Sequence, residues 1–115
     1  MTGLTEEQLD YYKNKGYVSP INALTSVEAK EIRDEIEKIE KDWPGALEGL
    51  NRNYIHLLSP VFNKVCLNRN ILNAVESIIG QNILICGTTL FIKNPKEKGF
   101  VSFHQDAKYI GLEPH

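Results

Sequence analysis

The chain has 115 residues, a formal net charge of −2, 42% hydrophobic and 24% charged side chains. That length holds one domain or part of one, and the composition is that of a globular protein, not a disordered one. With the charge near zero and the lysines interleaved with glutamates, the chain lacks the field that draws proteins to nucleic acid or to an anionic membrane surface.

In chain order, the first signal is Thr5 followed by Gln8, a capping box with Leu4 and Leu9 at the staple positions around it. It predicts a short helix from about Glu6 to Lys15, stopped by Gly16. The same device at Thr25 and Glu28 opens the strongest helix of the chain. There Val27, Ala29, Ile32, Ile36 and Ile39 make one apolar stripe and the charged residues a solvated face, so the stripe needs a sheet or a second helix to cover it. Trp43-Pro44-Gly45 ends that helix, and a polar loop through Asn53 leads to Tyr54-Ile55-His56-Leu57-Leu58. His56, beside two leucines, reads first as a hydrogen-bonded histidine at a core edge and second as a ligand contact.

Ser59 with Pro60 behind it predicts the next helix start, and Asn70 is the expected cap of another helix that ends at Gly80. From Asn82 the period changes. Ile83 to Lys93 reads as a long strand bent at Gly87, with Thr88, Leu90 and Ile92 on one face. Asn94 to Gly99 is a hairpin-like connection, and Phe100 to Asp106 the returning strand. Helices first and strands last predict an α+β fold, helices on one side of a mainly antiparallel sheet. Two strands do not make a stable sheet by themselves, so their unpaired edges predict self-association. Cys66 and Cys86 sit among apolar residues without metal spacing and read as free thiols. The first residues have neither the basic nor the apolar region of a signal peptide, and no apolar run reaches the length of a membrane span; a cytoplasmic, reducing location is expected.

The chemistry concentrates at His104 and Asp106. On a strand, side chains two positions apart leave the same face, so this imidazole and carboxylate are placed to hold one metal ion while Gln105 points away. With one further His they would make the facial triad of non-haem Fe(II) oxygenases.

Residues 82–114 resemble the phytanoyl-CoA dioxygenase family of Fe(II)- and 2-oxoglutarate-dependent oxygenases, above all in Leu90-Phe91-Ile92-Lys93-Asn94-Pro95, Gly99-Phe100-Val101-Ser102-Phe103-His104-Gln105-Asp106 and Tyr109-Ile110-Gly111-Leu112. The N-terminal half agrees in layout, so the likeness spans nearly the whole chain as a single domain over residues 1–115. It implies a double-stranded β-helix, or jelly roll of the cupin kind, preceded by helices. It also implies His104 and Asp106 as catalytic metal ligands for Fe(II), with Thr88, Leu90 and His56 near the 2-oxoglutarate cosubstrate and Tyr109 on the side of a small-molecule substrate. The expected reaction with O2 is hydroxylation of an unactivated C–H bond, with 2-oxoglutarate converted to succinate and CO2. The carboxylate of Asp106 favours hydroxylation over halogenation, because related halogenases carry a small residue there. In the family a distal His supplies the third ligand, followed by an Arg that binds 2-oxoglutarate. No counterpart of either is expected in this sequence, and His115 is not expected to replace the distal ligand. The chain is therefore expected to be an N-terminal portion of such an oxygenase, the roll incomplete and the fragment inactive alone.

Two other readings stay open. His104 and Asp106 would also suit a different cupin-like or hydrolytic metal site. Alternatively the chain is a non-catalytic structural or protein-interaction module, in which Asp106 merely accepts a hydrogen bond from His104.

Overall fold

Two threonines start the first two helices in the same way. In the computed structural model, which describes residues 3–111, Thr5 Oγ1 accepts from the Gln8 amide at 3.2 Å and Gln8 Oε1 accepts from the Thr5 amide at 3.0 Å. Thr25 and Glu28 repeat the exchange at 3.2 and 2.8 Å. Each box satisfies amide groups that have no partner inside the helix. Helix α1 runs over Glu6–Lys15 and ends at Gly16, whose φ of 79° lies in the left-handed region open to glycine. Helix α2 runs over Ser26–Asp42 and ends at Trp43. Its exposed face carries the pairs Lys30–Asp34, Arg33–Glu37 and Lys38–Asp42, each four residues apart.

Helix α3, Pro60–Cys66, starts as expected at Ser59 with proline in its first turn. Helix α4, Arg69–Ile79, ends at Gly80 but starts earlier than expected. Its cap is Asn68, whose Oδ1 accepts from the amides of Asn70 and Ile71. Two short 3-10 turns, Gly49–Arg52 and Ile55–Leu57, fill the loop between α2 and α3, and a last turn of helix, α5, covers Ala107–Ile110.

The core is small. Leu47, Ile55 and Phe62 are buried, and Ile32, Ile36 and Ile39 of α2 pack against them together with Leu90 and Ile92. Val27, placed by its spacing on the same stripe, is 66% exposed. The buried Ser59 hydroxyl donates to Glu35 Oε1 at 2.8 Å and accepts from the Val61 amide at 3.3 Å, so one oxygen both caps α3 and ties it to α2. The N-terminal segment is held to α4 through the Leu4 amide on Ser77 Oγ and through Asn70 Nδ2 on the Ala23 carbonyl.

The expected sheet is absent. Among the described residues there is no β-strand, and so no portion of a jelly roll and no packing of helices on strands; the α+β expectation is overturned. From 81 to 105 the chain runs without helix or ladder, and its β-type pairing is a single antiparallel bridge, Asn53 with Thr89. Flanking bonds run from the Tyr54 amide to the Thr88 carbonyl at 2.7 Å and from the Leu90 amide to the Arg52 carbonyl at 3.0 Å. The partner stretch lies between two 3-10 turns, so the ladder has nowhere to extend. β-Branched and aromatic side chains make a strand only where a neighbour satisfies the backbone and covers a face. Here neither happens: Leu84, Phe91, Phe100, Val101 and Phe103 are all strongly exposed. The accessible surface is 9963 Å², against roughly 6,400 Å² for a folded monomer of this mass. The radius of gyration is 16.3 Å, against about 13 Å for a compact domain of this length.

Candidate metal centre

The side chains of His104 and Asp106 do meet, though not by alternation along a strand. The irregular run ends at Gln105, and Asp106 turns into α5 with φ −64° and ψ −31°. That turn leaves Asp106 Oδ1 3.2 Å from His104 Nε2. The other ring nitrogen, Nδ1, lies 2.8 Å from the Ser102 carbonyl oxygen. A carbonyl only accepts, so Nδ1 carries a proton and donates it, and Nε2 is the nitrogen that faces the carboxylate.

This arrangement has an electrostatic consequence. In the neutral ring, Nε2 presents a lone pair to a carboxylate oxygen, and two acceptors at that separation attract only when a cation sits with them. A second proton is one such cation. The bond to the Ser102 carbonyl raises the His104 pKa above its ordinary 6.5; desolvation opposes it, and the charge and hydrogen bond of Asp106 add smaller upward contributions. A metal ion is the other. Two ligand atoms at right angles on bonds of about 2.1 Å stand roughly 3 Å apart, close to the observed spacing. A backbone carbonyl on the far nitrogen is the partner that fixes the tautomer of a metal-binding histidine. The pair is open to solvent, with His104 39% and Asp106 79% exposed in their side chains.

The donor set is incomplete. Among the described residues no group of three or more His, Cys, Asp or Glu side chains converges on one point. His104 and Asp106 offer two donors, and residues 3–111 bring no third His, Cys, Asp or Glu to them. His115 lies outside the described residues.

The residues expected near the cosubstrate form a second cluster. His56 Nδ1 and Thr88 Oγ1 are 2.7 Å apart, the His56 amide reaches the same hydroxyl at 3.4 Å, and the Tyr54 ring lies 6.5 Å from the imidazole. The 3-10 turn at Ile55–Leu57 presents His56, and the bridge at Thr89 presents Thr88. The Leu90 side chain packs against the core, so in this fold it anchors the run to the helices. Tyr109 falls in α5, with its side chain outside the described residues. Sequence reasoning missed the Ser102 carbonyl and the pairing of His56 with Thr88. The first is visible in sequence only as a neighbour two positions away; the second joins positions 32 residues apart and has no local signal.

Neither His104 nor Asp106 lines any of the surface hollows found among the described residues. One of about 220 Å³ sits between α2 and α3, lined by Ile32, Val61 and Lys64 among others. One of about 300 Å³ lies beside Trp43 and Leu58, and one of about 340 Å³ beside Arg52, Phe91 and Phe100. No helix among the described residues is long and apolar enough to cross a membrane. No protein-family model, no curated protein and no solved structure matches this chain.

Proposed function

We propose that this chain carries two of the three iron ligands of an Fe(II)- and 2-oxoglutarate-dependent oxygenase of the phytanoyl-CoA dioxygenase kind, His104 through Nε2 and Asp106 through its carboxylate. The observation that supports this reading best is the 3.2 Å approach of Nε2 to Oδ1 with Nδ1 held on the Ser102 carbonyl. Two unlike donors lie side by side, and with Nδ1 engaged, Nε2 is the ring nitrogen left to face an ion, which supports the reading. Iron, with 2-oxoglutarate and O2, would supply the oxidising chemistry. The chain's own part is to present Nε2 unprotonated, hold the imidazole against rotation and keep the carboxylate beside it. The pair of His56 and Thr88 is the polar cluster proposed to lie toward the cosubstrate, and α5, which carries Tyr109, toward a small-molecule substrate.

With only two ligands among the described residues, residues 3–111 hold iron weakly and leave hydroxylation without a complete centre. Anaerobic calorimetric titration with Fe(II) tests the reading. Weak binding of one ion per chain is expected, reduced at least about tenfold by His104→Ala or Asp106→Ala. Binding of the same strength in both variants would overturn it. The rival reading, a non-catalytic interaction module, is favoured by a different observation, the uncovered apolar run from Leu84 to Phe103.

A further inference from the structure

We propose that the hollow of about 340 Å³ beside Arg52 is a binding site for a small aromatic anion, a planar ring bearing a carboxylate or phosphate group. The inference goes beyond the oxygenase reading and does not depend on it.

Arg52 is the residue that calls for an anion. It is half-buried and lines the hollow, yet it takes part in no ion pair among the described residues. Its Nε donates to the Leu47 carbonyl at 2.6 Å, and its two Nη groups have no partner among the described residues. No side-chain nitrogen or oxygen there is buried without a partner, so these donors reach solvent. A guanidinium has five N–H donors in a planar fork, and with Nε taken the Nη groups remain to bind the oxygens of a carboxylate or phosphate. The residue is also held in advance of any ligand, since its carbonyl accepts from the Leu90 amide at 3.0 Å. A fork already fixed costs little further ordering on binding.

The walls select a ring. Phe91 and Phe100 line the hollow, each is 86% exposed, and among the described residues neither packs on another aromatic ring. The turn between them brings them there: the Glu97 amide donates to the Asn94 carbonyl at 3.1 Å, and Glu97 Oε2 accepts from the Asn94 amide at 3.0 Å. Such rings take up a further aromatic ring by offset or edge-to-face stacking. An apolar cavity of about 150 Å³ already admits benzene, so this hollow has room for one ring, its anionic group and water.

Charge sets the sign of the ligand. The charged lining is Arg52, Lys93 and Glu97, two cations and one anion. Neither cation forms an ion pair with Glu97, whose carboxylate holds the Asn94 amide instead. The hollow between α2 and α3 has the opposite balance, Glu28 and Glu31 against Lys64, and no aromatic wall.

Benzoate is the probe. Titrated into the full chain stripped of metal on a chelating resin, it should give saturable NMR shifts of the amides of Arg52, Phe91 to Lys93 and Gly99 to Val101. Acetate has the charge without the ring and benzylamine the ring with the opposite charge; each should bind at least about tenfold more weakly. Arg52→Gln should weaken benzoate binding at least about tenfold. Lys93→Gln and Phe100→Ala, at exposed positions, should each weaken it several-fold with helical circular dichroism unchanged, and they carry the test if loss of the Leu47 bond unfolds the Arg52 variant. Glu97→Gln should strengthen it. The absence of saturable binding would overturn the proposal. So would acetate or benzylamine binding as tightly as benzoate, benzoate binding unchanged by Lys93→Gln and Phe100→Ala, or shifts centred on Lys64. With metal removed, none of these outcomes bears on the proposed ligands His104 and Asp106.

Discussion

The proposed metal site turns on a single imidazole, that of His104. Its Nδ1 is committed to the Ser102 carbonyl, and its Nε2 is directed at Asp106. Because the Ser102 bond and the Asp106 charge raise the His104 pKa above 6.5, the protonated contact favours the folded arrangement below pH 6.5 and is lost as pH rises through the higher folded value. The proposed metal binding would run in the opposite direction, since an ion must displace the proton on Nε2. An NMR titration of His104 should give a midpoint above 6.5 that falls in Asp106→Asn, and Fe(II) affinity should climb with pH across that midpoint. A midpoint at or below 6.5, unmoved by Asp106→Asn, would show that the carboxylate does not act on the ring. Both residues are readable in the sequence as a His-x-Asp pair, but the cause of their meeting is not: the turn at Asp106 replaces the alternation of a strand.

At the scale of elements, helices are legible because their signals are local. Thr5, Thr25 and Ser59 mark three starts, and Gly16 and Gly80 two ends, where the structure has them. At α4 two asparagines, Asn68 and Asn70, are equally able to cap, and the side chain of the first reaches the free amides. Strands carry no such self-contained signal. Ile83 to Lys93 has the right residue types, but a ladder depends on a second stretch of chain, and Arg52–Tyr54 offers a single bridge. The capping box of α2 is the element's most testable part. Thr25→Ala should cost about 1 kcal/mol in a denaturant melt. The bonds from the Thr25 backbone and hydroxyl lower the Glu28 pKa below its ordinary 4.5, so that the box stabilises the folded state above pH 4.5 and fades as pH falls through the lower folded value. Helical circular dichroism should decline over that acid window in the parent and less steeply in Glu28→Gln; equal slopes would mean that the box contributes nothing.

At the scale of the whole molecule, the decisive feature is a core of three buried residues among those described, beneath a large uncovered surface. Leu47, Ile55 and Phe62 hold α2, α3 and the loop together, and Leu90 and Ile92 are the points where the irregular run is fastened. Phe62→Ala should cost about 3–5 kcal/mol, a large share of the stability of a small domain, and should lower the melting temperature sharply. A loss under about 1 kcal/mol would place the stabilising core elsewhere. The apolar runs of the second half are visible in the sequence; that they stay uncovered is not, because coverage belongs to the assembly of elements and not to any one of them.

The central claim is that His104 and Asp106 grip one ion through Nε2 and a carboxylate oxygen. It is tested most directly by following the ring nitrogens by NMR as Zn(II), a redox-silent ion of similar ligand preference, is added to the full chain. The expected result is a shift of His104 Nε2 with Nδ1 still protonated on the Ser102 carbonyl, and loss of that shift in Asp106→Ala. A response confined to His56, or coordination through His104 Nδ1, would contradict the account.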